Sequence, residues 1–307
     1  ATKILTMLGK TEQMHDLGDH IVSFQRSDGG IWDPWLDEYS RFSRKLAALR
    51  SRDFTNWGGQ KTKRAETRQS FAALRCLGRQ PLHPYQLVPT NWAEIKGFIH
   101  KLDWTVPWGA ASHFSHLLFF LKTHKLLFGM HAEDADVWIK QAITEVNHNY
   151  RLSDGSWGSN ETISEQQRVN GAMKMMTALE AAGVTEFEQA DSLIDLCLSA
   201  VNDEQACDHF NIICDLYHCH RLTKHREAEL RNYVLNRLHK YSQHYWPEFG
   251  GFSFYSDRAQ DNIYGAKVSL GLPEPDLHGT VMLLWGITLI SDIFGWREEL
   301  GLQIPVT

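Results

Sequence analysis

One short run of residues constrains this chain more than any other: Gln25-Arg-Ser-Asp-Gly-Gly-Ile-Trp32. Ahead of it, Met14, Leu17, Ile21, Val22 and Phe24 recur at roughly helical spacing, which predicts an amphipathic helix. Asp28-Gly29-Gly30 stops that helix, because two glycines supply backbone conformations that a Cβ would forbid. Trp32 follows as a large apolar anchor. The pattern returns as Leu152-Ser-Asp-Gly-Ser-Trp-Gly158 and again as Glu248-Phe-Gly-Gly-Phe-Ser-Phe254, each with a helical pattern on both sides. A turn that recurs in that setting predicts an array of helical hairpins.

The turn Gln-x-x-Asp-Gly-Gly-x-Trp closely resembles the glutamine–tryptophan repeat of squalene cyclases and their relatives, the class II terpene cyclases and the protein prenyltransferase β subunits. The resemblance implies an all-α fold, an α/α toroid of six inner and six outer helices, formed as one domain over residues 1–307. In that family the motif marks turns and carries no chemistry, so it speaks to architecture before activity.

Composition narrows the partners. Net charge is −6 over 307 residues, so the global basic footprint of a nucleic-acid binder is missing. The five cysteines are an odd number in a long chain, which fits reduced thiols in a cytoplasmic protein better than a disulfide scaffold. No apolar run approaches the ~20 residues that span a bilayer, so no transmembrane segment is expected. The expected partner is a small molecule.

The candidate inner helices share a regularity: each opens polar and continues apolar. The opening sets are Glu66, Arg68 and Gln69; His113 and His116; Glu165, Arg168 and Asn170; Asp208, His209 and Asn211; and Asp276 and His278. A sixth helix, Asp37 to Arg50, would complete the ring. In a toroid the inner helices run parallel, so these polar starts and their positive dipole ends would gather around one cavity. For any single acid the competing reading is a helix cap.

Asp276-Leu-His278 carries the most specific chemistry, since an Asp beside a His can form an acid–base pair. The alternative is that Asp276 caps the helix and His278 is its first turn. Tyr264 is a further proton donor and Glu165 a further acid. His113 and His116, at i and i+3, share a helix face but lack an evident third ligand. Cys207, Cys214 and His218 give a zinc reading, but buried cysteine is more often a small apolar residue, so no metal or other cofactor is expected. The Asp-x-Cys pair that holds zinc in prenyltransferases is replaced by Cys207-Asp208-His209, with His278 downstream. The Asp-x-Asp-Asp signature of class II cyclases is also absent; Glu133-Asp134-Ala135-Asp136 reads as a solvated helix start.

Three functions remain open. The first is an enzyme acting by acid–base chemistry on an isoprenoid-like molecule such as a diphosphate. Arg68 and Arg168 would hold the head group, and Trp108, Phe114 and Phe119 would meet the tail. The second is a carbohydrate-active lyase or hydrolase, with carboxylates drawn from Glu66, Glu165, Asp208 and Asp276. The third is a toroidal binding domain without catalysis.

Overall fold

A computed structural model describes residues 1–51 and 56–306. The chain is predominantly helical, with 59% of it in helices. In order these are α1 (Thr2–Met7), α2 (His15–Ser23), α3 (Pro34–Ser51), α4 (Gln60–Cys76), α5 (Trp92–His100), α6 (Pro107–Phe128), α7 (Ala135–Tyr150), α8 (Glu165–Ala182), α9 (Ala190–Ser199), α10 (Ala206–His220), α11 (Glu227–Ser242) and α12 (Leu277–Phe294). Between α11 and α12 lie two small hairpins, β1 (Tyr245–Trp246) with β2 (Gly251–Phe252) and β3 (Asn262–Ile263) with β4 (Ala266–Lys267). The chain divides into two compact units. The first holds Ala1–Leu87, His244–Val281 and Val306; the second holds Val88–Gln243 and Met282–Pro305.

In the second unit, α6, α8, α10 and α12 run parallel. Gly171 of α8 lies against Pro107 of α6, so close that a Cβ there would sit 2.6 Å from the proline Cβ. Further along the same two helices, Ser115 and Thr177 share a hydrogen bond of 3.2 Å. Asn170 of α8 meets Asp208 of α10 at 3.1 Å. Phe210 of α10 meets Trp285 of α12 at 4.7 Å between ring centroids, and Tyr217 donates to Asp292 at 3.0 Å. Residue numbers rise together in each pair, which is the signature of parallel packing. α6, α8 and α10 are buried on nearly every side. The intervening helices bury one stripe each, such as Ala135, Ile139, Ala142 and Val146 on α7. α12 is long and apolar enough to cross a membrane by length and composition, but half of it is buried in the protein, as in a core helix.

The recurring turns explain themselves atom by atom. In the first unit, Gln25 pairs across the turn with Ile31, and its amide reaches the loop ahead of α5. Nε2 donates to the Gly29 and His83 carbonyls at 3.0 and 2.8 Å, and Oε1 accepts from Leu82 N at 2.6 Å. In the second unit, Arg151 takes the same place. It pairs with Trp157, lies over that ring at 3.8 Å, and donates to Gln189 at 2.9 Å in the loop ahead of α9. Each turn is therefore fastened to a loop further along its own unit. The matched pairs also correct the reading of Trp32. Ile31, not Trp32, fills the place of Trp157; Trp32 stands one residue on, beneath Arg26 and Lys63.

The helix expected as the sixth of the ring is α3, and its burial is reversed. It buries Ser40 and Ala48 and exposes Trp35, Tyr39, Phe42 and Leu49.

Gly155 of the second turn has φ of 80°, and a Cβ would lie 2.6 Å from the Gln189 carbonyl oxygen. Gly183, after α8, has φ of 78° but open space around it. Gly155→Ala is expected to cost about 3 kcal/mol of unfolding free energy and Gly183→Ala about 1 kcal/mol, read from urea unfolding. Equal losses would show that the turn does not grip the α9 loop.

Candidate functional site

The expected site residues fall into the two units, and each set is taken by itself. In the first unit, Asp276 is a helix cap. Its Oδ1 accepts from Gly279 N at 2.7 Å, three residues into α12. Its Oδ2 accepts from Phe254 N at 2.7 Å and Gln260 N at 3.0 Å. His278 Nδ1 shares a 2.7 Å hydrogen bond with Gln260 Oε1, and the ring stacks on Phe254. The Asp276–His278 spacing thus builds a capped helix start, with both side chains engaged by the same loop residues, Phe254 and Gln260. Tyr264 sits at the exposed tip of the β3–β4 hairpin with φ of 52°. Glu66 and Arg68 lie on α4, where Arg68 is buried. Burial and then the like charge of Asp33 push the Glu66 carboxyl up.

The second unit gathers more. Asn170, Asn202, Asp208 and Asn211 form a buried cluster where α8 and α10 begin. Asn170 Nδ2 donates to Asp208 Oδ1 at 3.1 Å. Asn170 Oδ1 accepts from Asn202 Nδ2 at 2.9 Å and Asn211 Nδ2 at 2.8 Å. Asn202 Nδ2 also donates to the Asp208 carbonyl at 3.3 Å, which fixes the orientation of its amide. Three acceptors are left over: Asp208 Oδ2, Asn202 Oδ1 and Asn211 Oδ1 are buried without a hydrogen bond. Burial raises the Asp208 pKa above the ordinary carboxylate range, and the exposed Glu204 one turn back adds to the rise. The Gln166 and Gln205 amides pull it down a little without satisfying Oδ2.

A second layer steadies the cluster. Arg237 of α11 is buried, donates to the Asn202 carbonyl at 3.2 Å and stands 3.2 Å from His209 Nδ1. Its Nε donates to the Tyr233 hydroxyl at 3.1 Å. Neither Asn202 nor Arg237 stands out in the sequence. Arg237 does leave one signal: with Leu230, Val234 and Tyr241 it occupies the buried stripe of α11.

The remaining candidates lie around this end of the unit. Arg168 is committed: it pairs with Asp154, the turn aspartate, and with Glu161 at 3.4 Å. Asp154 Oδ1 accepts from Ser156 N at 2.9 Å, so this ion pair joins the turn to α8. Glu165 is exposed at the first residue of α8, which Ser164 caps. Trp108 is exposed on the first turn of α6, with Lys174 Nζ 5.9 Å from its ring. His113 and the buried His116 meet edge to face at 5.7 Å. Phe114 and Phe119 are fully buried core residues. Asp136 is exposed and paired with Lys122 and Lys125, a solvated helix start. Among the described residues no group of three or more His, Cys, Asp or Glu side chains is arranged to hold a metal ion.

Searches of family models, curated proteins and solved structures find no match. The likeness to the glutamine–tryptophan repeat rests on the turn residues alone.

One more carboxyl lies two helical turns along α10. Asp215 is fully buried among Cys197, Cys214 and Cys219, neither oxygen has a hydrogen bond, and burial raises its pKa well above the ordinary range. A raised folded pKa means that the folded state holds the proton more tightly. Its stabilising effect is full below the unfolded value of about 4 and is lost as pH rises through the folded value. Asp215→Val removes that titration. The variant is expected to gain stability over the native protein as pH rises, reaching about 2 kcal/mol at pH 8, in parallel denaturant titrations. A stability difference that stays constant from pH 4 to pH 8 would contradict the neutral buried acid, on the scale set by an ordinary Asp pKa of about 3.9.

Proposed function

We propose that the parallel helices of the second unit are an arc of an α/α toroid, and that their N-terminal end is an acid–base site for a hydroxyl-rich small molecule, a glycan or related polyol. The observation that carries this reading is the set of unpaired acceptors, Asp208 Oδ2, Asn202 Oδ1 and Asn211 Oδ1. The two amide oxygens take hydrogen bonds from hydroxyl groups and repel phosphate oxygens, and Asp208 Oδ2 accepts when ionised and donates when it carries a proton. A diphosphate would need an uncommitted cation, whereas Arg168 is already paired with both Asp154 and Glu161. Trp108, beside the Pro107 that packs on Gly171, supplies an exposed aromatic face near the cluster, of the kind on which a sugar ring stacks.

In this reading Asp208 is the general acid. Its burial favours the protonated form, which donates to a leaving oxygen. Glu204, exposed at the mouth, is the second carboxylate, and the environments of the two acids separate their roles. Asn170 is the positioning residue that holds Asp208 through Oδ1. The isoprenoid reading is weaker here because Phe114 and Phe119 are packed within the core.

The test pairs thermal shift with turnover on neutral and acidic oligosaccharides and on prenyl diphosphates. Oligosaccharides are expected to raise the melting temperature. Asp208→Asn is expected to keep the fold, since a neutral amide replaces a carboxyl of the same shape, and to lower turnover by about 10²–10⁴-fold. A shift given by a prenyl diphosphate and lost in Arg168→Ala would overturn the glycan reading. Saturable binding without turnover in the native protein would leave a binding domain.

A further inference from the structure

The least ordinary surface in the first unit is the outward face of α3. Trp35, Tyr39, Phe42, Leu46 and Leu49 follow one another at intervals of four, three, four and three residues, so they form a single stripe of coiled-coil spacing. They are 41%, 60%, 78%, 36% and 58% exposed. The opposite face is turned inward although it is small and polar: Ser40 and Ala48 are buried there, and Arg44 is held by Ser40 Oγ at 2.7 Å and Asp37 at 3.0 Å. A surface helix of a self-contained unit buries its apolar stripe and shows its polar one. α3 does the reverse, which leaves its stripe to be covered from outside. Tyr264 extends the patch, because its hairpin is fastened to α3 by Ser43 Oγ donating to the Gly265 carbonyl at 3.1 Å.

The charges on α3 select the occupant. Asp33, Asp37 and Glu38 cluster at its start, and Arg41, Arg44, Lys45 and Arg50 follow. Asp37 is paired with Arg44 and Lys63, which leaves exposed Asp33 and Glu38 in the first turns, exposed Arg41 beside the midpoint, and Lys45 and exposed Arg50 in the second half. A second α3 laid antiparallel sets Asp33 near Arg50 and Glu38 near Lys45 of the other copy on the two flanks of the stripe, and the two helix dipoles then also oppose. A parallel copy sets like charge against like. An anionic bilayer is repelled by the acidic end. The stripe offers on the order of 500 Å² of apolar surface per copy, so two copies reach the ~1,000 Å² that a specific interface needs.

We propose that α3 pairs two copies of this chain antiparallel about a two-fold axis at Phe42, the most exposed residue of the stripe and the midpoint of the helix. Phe42 then packs on its own counterpart, and Trp35 of each copy packs near Leu49 of the other.

Light scattering on the whole chain across about 1–100 μM is expected to show a concentration-dependent dimer. Phe42→Asp is expected to be monomeric throughout that range and to melt like the native protein at dilutions where the native protein is itself monomeric, since the side chain is exposed. Cysteine cross-linking reads the geometry, with the native protein as control for Cys76 and Cys207. Phe42→Cys is expected to link to itself on mild oxidation. Trp35→Cys is expected not to, because two such residues lie about 20 Å apart, far beyond the ~7 Å Cα limit of a disulfide. An equal mixture of Trp35→Cys and Leu49→Cys is expected to link. A native protein that stays monomeric throughout the range overturns the proposal. So does self-linking of Trp35→Cys, which reports parallel pairing. So does a monomer that floats with phosphatidylserine-containing vesicles through this face, which would assign the stripe to membrane.

Discussion

Parallel helices carry a cost that antiparallel ones avoid: their like dipole ends lie on the same side. In the second unit α6, α8, α10 and α12 accept that cost, and Gly171 against Pro107 brings α6 and α8 too close for the helices to slide past it. The positive ends of α6, α8 and α10 then lie on one side of that unit, which is furnished with acceptors. Ser164 caps α8, Asp154 and Glu161 hold Arg168, and the Asn170–Asp208 cluster sits between α8 and α10. The leftover acceptor oxygens are compatible with this place, because the dipoles soften the penalty of an unpaired negative pole.

The same helices explain why carboxyl chemistry sits where it does. A helix buried on nearly every side has no water to share with its polar residues, so each must be paired or neutral. Asp208 is half paired, and Asp215 is not paired at all. In both, burial raises the pKa above the ordinary value. Asp208 sits next to an exposed acid and beside unpaired amide oxygens, whereas Asp215 is enclosed by thiols and a hydrocarbon core. Identical side chains on one helix thus differ in their surroundings.

The turns are the structural counterpart. Gln25 and Arg151 differ in charge and shape, yet each closes a turn onto a loop further along the chain. What the turn needs from that position is a long side chain with donors. What it needs from Asp28 and Asp154 is an oxygen for the backbone two residues on. The motif tolerates exchange where chemistry is shared and none at Gly29 or Gly155, where a Cβ would strike backbone.

The sequence by itself determined the helical character, the recurrent turns and the polar openings of several helices, because those depend on residue spacing within a turn or two of chain. It brought Asn170 and Asp208 into one expected site for the same reason: both lie near the polar start of a helix that continues apolar. Tertiary structure decided the rest. Whether Asp276 is an acid or a cap depends on the Phe254 and Gln260 amides that converge on it. Whether Arg168 can bind a ligand depends on Asp154 and Glu161. Asn202 and Arg237 join the cluster through contacts made across helices. The outward turn of the α3 stripe is likewise invisible to periodicity, which gives the width of an apolar face but not its direction. Spacing is a local quantity, whereas partnership and burial are set by residues far away in the chain.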